Sequence, residues 1–249
     1  FIQIENKNAL AELLESGRKF IKIYIATNAV KDHKTRYIIN LANERNIPII
    51  KVARRDLERR SRTSANESVI GLMISENNWR LKDLLDDIYS RGDLPFFLLF
   101  DHVRYSRNIG AIMRTAFAGY VNGVITPLKR DSFLDDESMR ISMGAAERIP
   151  IVQMNLFAAI ADLKKNGIRV VSLEVGGKPH FQTDLTGPVA IVLGAEDTGI
   201  SSKVLENSDE IISIPMREGV GSLNVGVSAA IIVYEKIRQE AELISSSKS

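Results

Sequence analysis

DEIISIPMREGVGSLNVGVSAAIIVYEKIR, residues 209–238, passes from a strand-like run to a helical period across a glycine-bearing loop. Ile211-Ile212-Ser213-Ile214 predicts a buried strand, and Pro215 ends it because proline offers no N–H to a central ladder. Gly219 and Gly221 predict a loop whose backbone can approach a ligand closely. Val225, Ser228, Ala229 and Ile232 then recur at i, i+3, i+4 and i+7, the period of a helix with one apolar face, and Ser222 or Asn224 stands where its cap belongs. Polar side chains therefore sit at a strand-loop-helix junction, where an α/β sheet binds its ligand; an ordinary βα turn is the plainer alternative. A Rossmann-type nucleotide site fits less well. Gly219-x-Gly221 supplies two glycines of that fingerprint, but Asn224 occupies the third position, which normally permits close helix-to-strand packing.

With 249 residues and 45% hydrophobic content, the chain can bury a substantial core, as one large domain or as one domain plus a small one. There is no cysteine, and His33, His102 and His180 are scattered, so disulfides and thiolate metal sites are excluded and no metal is expected. No run approaches the roughly 18 apolar residues of a membrane helix. Phe1-Ile2-Gln3-Ile4-Glu5 lacks the basic and apolar pattern of a signal peptide, so the expectation is a cytoplasmic protein with no membrane partner. A net charge of +2 neither demands nor excludes a nucleic acid. Its distribution says more: Lys51, Arg54, Arg55, Arg59, Arg60 and Arg62 fall within twelve residues, offset only by Asp56 and Glu58. This cluster is either a phosphate-binding surface or a solvated helix face with i to i+4 charge pairs.

In order along the chain, residues 7–18 predict a short amphipathic helix ended by Gly17, 19–26 a strand, 35–44 a helix, 48–52 a strand and 68–74 another strand. These make a small α/β domain over residues 1–75. Residues 76–94 read as a polar connection carrying one amphipathic helix on Leu81, Leu84, Leu85 and Ile88. From Pro95 the βα alternation resumes: PFFLLF is a buried strand, residues 101–107 are a polar loop, and Asn108 is placed to cap the helix that follows. Gly110 allows close approach at that helix's first turn. Arg114, four residues on, shares its face and suits either phosphate binding or plain exposure. Strands at 122–126, 149–154 and 168–173 alternate with helices at 136–144 and 155–166, arguing a mostly parallel sheet covered on both faces. The strand at 188–193 runs into Gly194-Ala195-Glu196-Asp197-Thr198-Gly199. Ile200 stands where a P-loop needs lysine, so nucleotide triphosphate hydrolysis is set aside. Glu196 either orients a polar ligand group and shares in proton transfer or caps the next helix.

Taken together, Asn108-x-Gly110-x-x-x-Arg114, Leu193-Gly194-Ala195-Glu196 through Gly199, and Ile214-Pro215-Met216 through Ser222-Leu223-Asn224-Val225 resemble the three ordered motifs of the SpoU/TrmH branch of the SPOUT superfamily. The match spans roughly Pro95 to Arg238, and the first domain resembles that family's substrate-binding extension. Two departures stand out. Tyr105-Ser106-Arg107 occupies the approach where family members carry Asp-Pro, and Asn66-Glu67-Ser68 lies where the extension often closes on His-Gln-Gly.

The resemblance implies a fold that composition does not reveal: a parallel sheet whose C-terminal segment is threaded as a deep trefoil knot over residues 95–249, where most chains avoid threading. It implies an S-adenosylmethionine-dependent RNA 2'-O-ribose methyltransferase, acting as a homodimer, with ribosomal RNA favoured over transfer RNA. It places the cofactor on Leu193, Gly194, Ile214, Met216, Leu223 and Val225. Arg114 would anchor an RNA phosphate and help activate the 2'-hydroxyl, while Asn108, Glu196, Ser222 and Asn224 would position the ribose and one another. An arginine is a poor base, with a pKa above about 12, so phosphate anchoring and charge stabilisation are its expected contribution. Arg54, Arg55, Arg59 and Arg60 are the expected RNA contacts of the first domain. A catalytically silent RNA-binding relative and a Rossmann-type cofactor enzyme are the competing expectations.

Overall fold

Along FIKIYIA, Phe20, Ile23, Tyr24, Ile25 and Ala26 are buried and Ile21 is exposed, which seats this segment inside a sheet. The computed structural model describes residues 2–29, 32–61, 67–74, 78–128 and 133–246. It divides into two compact units, Phe1–Glu76 with Asp131–Asp136, and Asn77–Arg130 with Glu137–Ser249. Phe1, Arg62 and Asn66, singled out above, lie outside the described residues.

The first unit contains β1 (Ile2–Ile4), α1 (Lys7–Glu15), β2 (Phe20–Ala26), α2 (His33–Glu44), β3 (Ile49–Val52), α3 (Arg54–Arg60) and β4 (Val69–Met73). Its strands lie in the order β1-β4-β2-β3; β2 and β3 are parallel, while β4 runs antiparallel to both β1 and β2. β1 is an addition to the three strands expected, since IQI is too short for an alternating pattern to show. Asn6 caps α1 by accepting from the Asn8 and Ala9 amides at 2.9 and 3.0 Å. At Gly71 a Cβ would lie 2.5 Å from Leu10 Cδ1, so the glycine is what lets α1 settle on β4.

This unit also contains a segment from far along the chain. Phe133 and Leu134 are buried, and Asp136 Oδ2 accepts from the backbone amides of Glu5 and Asn6 at 2.8 Å each. Asp136 Oδ1 is buried without a partner among the described residues. Burial lifts this carboxyl to about 6; the two amide donors oppose the shift, and the Glu5 and Asp135 carboxylates add to it. The folded value exceeds the unfolded one, so the native state binds the proton more tightly. The unit therefore gains stability as pH falls from about 6 towards 3.8 and loses it as pH rises through 6. Asp136→Asn, whose carbonyl oxygen can keep both amide bonds, is expected to flatten this dependence and raise Tm at neutral pH. Thermal melts on either side of pH 6 measure it, and parallel profiles for the two proteins would contradict it.

The second unit opens with α4 (Leu81–Ser90), whose Leu81, Leu84, Leu85 and Ile88 join the unit's apolar core beside Phe97, Leu99, Val170 and Val192. The helix placed by sequence in a connecting stretch thus packs inside this unit. Then follow β5 (Phe96–Asp101), α5 (Ser106–Ala118), β6 (Gly123–Thr126), α6 (Asp136–Ser142), β7 (Ile151–Gln153), α7 (Leu156–Lys165), β8 (Arg169–Pro179), β9 (Val189–Gly194), α8 (Ser202–Asn207), β10 (Glu210–Ser213) and α9 (Val225–Ser246). All six strands are parallel, in the order β10-β8-β9-β5-β6-β7. β5 and β9 are central, and every residue of β5 is buried.

β10 corrects one expectation. It lies at the sheet edge, where Ile212 alone of its residues is buried, because β8 is its one neighbour in the sheet. Its pairing with β8 also jumps: Ile211 faces Ser172, but Ile212 faces Lys178. The residues of β8 between these two partners are excess on the β10 side, so this part of β8 bulges near Leu173, Glu174 and Val175. Gly177 marks where the backbones close again, since a Cβ there would lie 2.7 Å from Ile211 O.

α9 is fastened to the approach to β9. Buried Lys236 donates to the carbonyls of Leu185 and Gly187 at 3.2 and 3.0 Å and to Glu240 at 2.7 Å, while Gln239 Oε1 accepts from the Leu185 amide at 2.8 Å. α5 and α9 run side by side in the same direction: a Cβ at Gly226 would lie 3.5 Å from Ala111 Cβ, and one at Gly119 would lie 2.1 Å from Val233 Cγ1. The starts of both helices are thereby brought together. Among the described residues no helix is long and apolar enough to cross a membrane.

Candidate active site

The register of the two central strands sets the site. Asp101 pairs with Gly194, so the loops leaving β5 and β9 emerge side by side at the carboxyl edge of the sheet, where open parallel sheets place ligands. Hydrogen bonds join those loops. Asp101 Oδ2 accepts from the Ser201 amide at 2.7 Å, Arg104 Nη2 donates to Asp197 Oδ2 at 2.6 Å, and Asn108 Nδ2 donates to Glu196 Oε1 at 2.7 Å. The Arg104 guanidinium holds the Asp197 carboxyl below its ordinary range.

Asn108 is not the helix cap that its spacing suggested. α5 begins at Ser106, two residues earlier, and Tyr105 precedes it without a side-chain cap bond. Asn108 is instead 9% exposed within the first turn and sits in the middle of a relay. Asn224 Oδ1 caps α9 by accepting from the Gly226 and Val227 amides at 2.9 and 3.3 Å. This fixes the orientation of its amide, whose Nδ2 donates to Asn108 Oδ1 at 2.9 Å. Asn108 must then present its own Nδ2 to Glu196. The relay ends at Glu196 Oε2, which is buried with no partner among the described residues. A buried acceptor left open in this way is a place for a ligand's donor.

Beside the relay lies a cleft with a volume of about 110 Å³. Leu193, Gly194, Ile214, Met216, Leu223 and Val225, the six positions expected to hold the cofactor, all line it, together with Glu196 and Ser222. Leu173, Glu174 and Val175 line it too, and sequence reading missed them. It ended β8 at Leu173, whereas the jump in pairing with β10 turns the following residues to the cleft. Glu174 also braces the opposite wall, since its Oε2 accepts from the Ile200 amide at 2.9 Å. Asp101 was missed as well; a carboxylate directly after an apolar run was the available signal.

Arg114 and Gly110 are placed differently. Gly110 does not face a ligand: a Cβ there would lie 2.8 Å from both Ile141 Cβ and Ser138 O, so it serves the packing of α6 on α5. Arg114 is exposed, lies outside the cleft lining and has no partner among the described residues.

In the first unit, taken by itself, Arg54, Arg55, Arg59 and Arg60 are all exposed on α3. Arg54 pairs with Glu58 at 2.9 Å, Arg59 approaches Asp56 at 4.0 Å, and the Arg60 guanidinium lies 4.8 Å from the Tyr24 ring centroid. Arg55 has no partner among the described residues. Both readings of the cluster thus find support: charge pairs are present, and cationic surface remains.

Comparison with known proteins bears on this geometry. Residues 95–234 match the model of the SpoU rRNA Methylase family, and residues 4–92 match that of RNA 2'-O ribose methyltransferase substrate binding. YacO of Bacillus subtilis strain 168, whose name assigns it to the TrmH family of tRNA/rRNA methyltransferases, is 34% identical over 235 residues, covering 94% of each chain. An AdoMet-bound rRNA methyltransferase from Sinorhizobium meliloti superposes with a TM-score of 0.62 at 21% identity, over 95% of this chain and 86% of that one, a likeness of fold. A TrmH/SpoU tRNA modifying enzyme of A. aeolicus superposes at 0.55 with 26% identity, over 64% of this chain and 85% of that one.

Proposed function

The chain belongs to the SpoU rRNA Methylase family of S-adenosylmethionine-dependent RNA 2'-O-ribose methyltransferases, and from that premise we propose that it methylates ribosomal rather than transfer RNA through the relay and cleft at the carboxyl ends of β5 and β9. One observation carries the placement of the site: the Asn224-Asn108-Glu196 chain of hydrogen bonds ends in a buried carboxylate oxygen with no partner among the described residues, beside the cleft. The rRNA preference is supported by the family model matched over residues 95–234, whose description is that of an rRNA methylase.

The cleft suits the methyl donor. Leu193, Met216, Leu223 and Val225 offer apolar walls for a purine, and the carboxyl groups of Glu174 and Glu196 in the same lining suit a cationic ligand. When bound, S-adenosylmethionine supplies a methyl group already activated by its sulfonium. The protein's own task is then to align a ribose 2'-hydroxyl, a poor nucleophile until its proton is at least partly removed, and to hold the charge that develops. Glu196 Oε2 accepts a hydrogen bond from the ribose, with Asn108 and Asn224 holding that carboxyl still. Ser222, at the edge of the cleft, adds a second polar group for the ribose. Arg114 grips the adjacent phosphate and stabilises charge as the hydroxyl proton leaves, remaining protonated itself throughout.

Arg114 lies outside its own chain's cleft, so a second copy completes the site in this reading. Exposed apolar residues on α5 and α9, Phe117 (44%), Val227 (50%) and Tyr234 (52%), with Tyr120 (81%) just after α5, support a homodimer through those helices. Threading of the residues after β10 as a trefoil knot is part of the same proposal. It is supported by the path of the chain, which leaves the sheet edge at β10 and returns to the cleft beside β9 and to α5.

Labelled methyl transfer to separate pools of unmodified ribosomal and transfer RNA tests the substrate. Label in the ribosomal pool supports the proposal, and label confined to transfer RNA would overturn it. The α3 arginines give a second expectation. Replacing Arg54, Arg55, Arg59 and Arg60 by glutamine should weaken RNA binding and shrink its log–log salt slope by about 0.7 to 0.9 for each phosphate no longer neutralised. Unchanged affinity and slope would remove α3 from the RNA surface.

A further inference from the structure

The approach to Asn108 carries side chains that the relay and the donor cleft leave unused. Arg104, Tyr105, Ser106, Arg107 and Glu137 surround a second hollow of about 490 Å³ that reaches Asn108 itself. Its walls differ in kind. Arg104 is fastened to Asp197 at 2.6 Å, which ties the loop to the turn that carries Glu196. Tyr105 is 58% exposed, an aromatic ring largely in solvent at the mouth of a polar hollow. The Arg107 side chain is 83% exposed, and Glu137 approaches it at 3.9 Å, an open approach rather than a closed bidentate pair. A free ring face, an available guanidinium and a rigid wall therefore adjoin the residue that positions the reacting group.

We propose that this hollow seats the nucleotide next to the methylated ribose, with its base stacked on Tyr105 and its phosphate held by Arg107. The identity of the ligand as RNA rests on the methyltransferase reading above. Unpaired RNA bases are recognised chiefly by stacking on aromatic side chains and arginines, and guanidinium suits phosphate. Such a platform accepts any base but requires it to be unstacked from its neighbours. It thereby selects a loop, bulge or flipped nucleotide over a continuous duplex. Glu137 competes for Arg107, and the incoming phosphate takes its place.

Tyr105→Ala, Tyr105→Trp and Arg107→Gln are compared with the parent for binding and methyl transfer on an unmodified ribosomal RNA transcript, and for S-adenosylmethionine binding as a check on folding. Tyr105→Ala is expected to bind RNA about tenfold more weakly, the effect of removing one stacked base, and to raise KM with little change in kcat. Tyr105→Trp should keep parental affinity. Arg107→Gln should lower the salt slope by about 0.7 to 0.9. Parental RNA affinity in Tyr105→Ala with donor binding intact would overturn the proposal, as would an equal weakening in Tyr105→Trp. Should Tyr105→Ala lose donor binding too, Tyr105→Trp and Arg107→Gln decide the matter. A parent protein that binds this RNA without transferring methyl to any RNA would sink the catalytic reading alone, leaving the affinity comparison to judge the platform.

Discussion

Arg114→Ala is expected to lower methyl transfer by about 10²–10³-fold, as removal of one well-aligned charge-stabilising donor does, while S-adenosylmethionine binding persists. The separation follows from placement. Arg114 is exposed, lies outside the cleft lining and has no partner among the described residues, so its removal leaves the donor's surroundings and the core intact. Stability should stay within about 0.5 kcal/mol of the parent. Arg114→Lys should recover only part of the activity, because an ammonium cannot grip a phosphate in bidentate fashion. Single-turnover methyl transfer with donor binding measured alongside reads all three. Parental turnover in Arg114→Ala would remove the arginine from the mechanism.

Gly194→Ala should be the most damaging small change in the cleft. A Cβ at Gly194 would lie 2.4 Å from the Gly199 carbonyl carbon and 2.5 Å from the Ile200 amide nitrogen, both backbone atoms that no rotamer can move aside. The turn it would push away is closed by paired bonds between Ala195 and Gly199, at 3.1 and 2.9 Å, and it carries Glu196 and Asp197. Overpacking of this kind costs about 1–3 kcal/mol. A displacement near 1 Å at Glu196 would break its bond to Asn108 and lower transfer by about 10²-fold. Donor affinity should fall together with activity, in contrast to Arg114→Ala. Isothermal titration with S-adenosylmethionine distinguishes the two variants, and parental donor affinity in Gly194→Ala would show that the strand end tolerates a side chain.

Much of this site was legible locally. The strand-to-helix passage at 209–238 offered Ser222 or Asn224 as a cap, of which Asn224 is the one, and the glycine turn after the strand at 188–193 put Glu196 at the strand's carboxyl end, because both depend on residues a few positions apart. What stayed hidden depends on distant pairing. Local sequence carries no sign that β10 lies at an edge, nor that its partner jumps from Ser172 to Lys178 and so delivers Glu174 to the cleft. Asn108 looked like a cap because a polar residue before an apolar period usually is one. Only the alignment of Asp101 with Gly194 shows that it faces Glu196 instead. The membership of residues 133–136 in the first unit is equally nonlocal, resting on amides more than a hundred positions away.

The most direct test is nucleoside analysis of RNA after incubation with S-adenosylmethionine labelled in its methyl group, using the parent protein and Arg114→Ala on an unmodified ribosomal RNA transcript. Label recovered as one 2'-O-methylated nucleoside with the parent, and nearly absent with Arg114→Ala, is the expected result. Label on a base rather than a ribose, or equal label with both proteins, would contradict it.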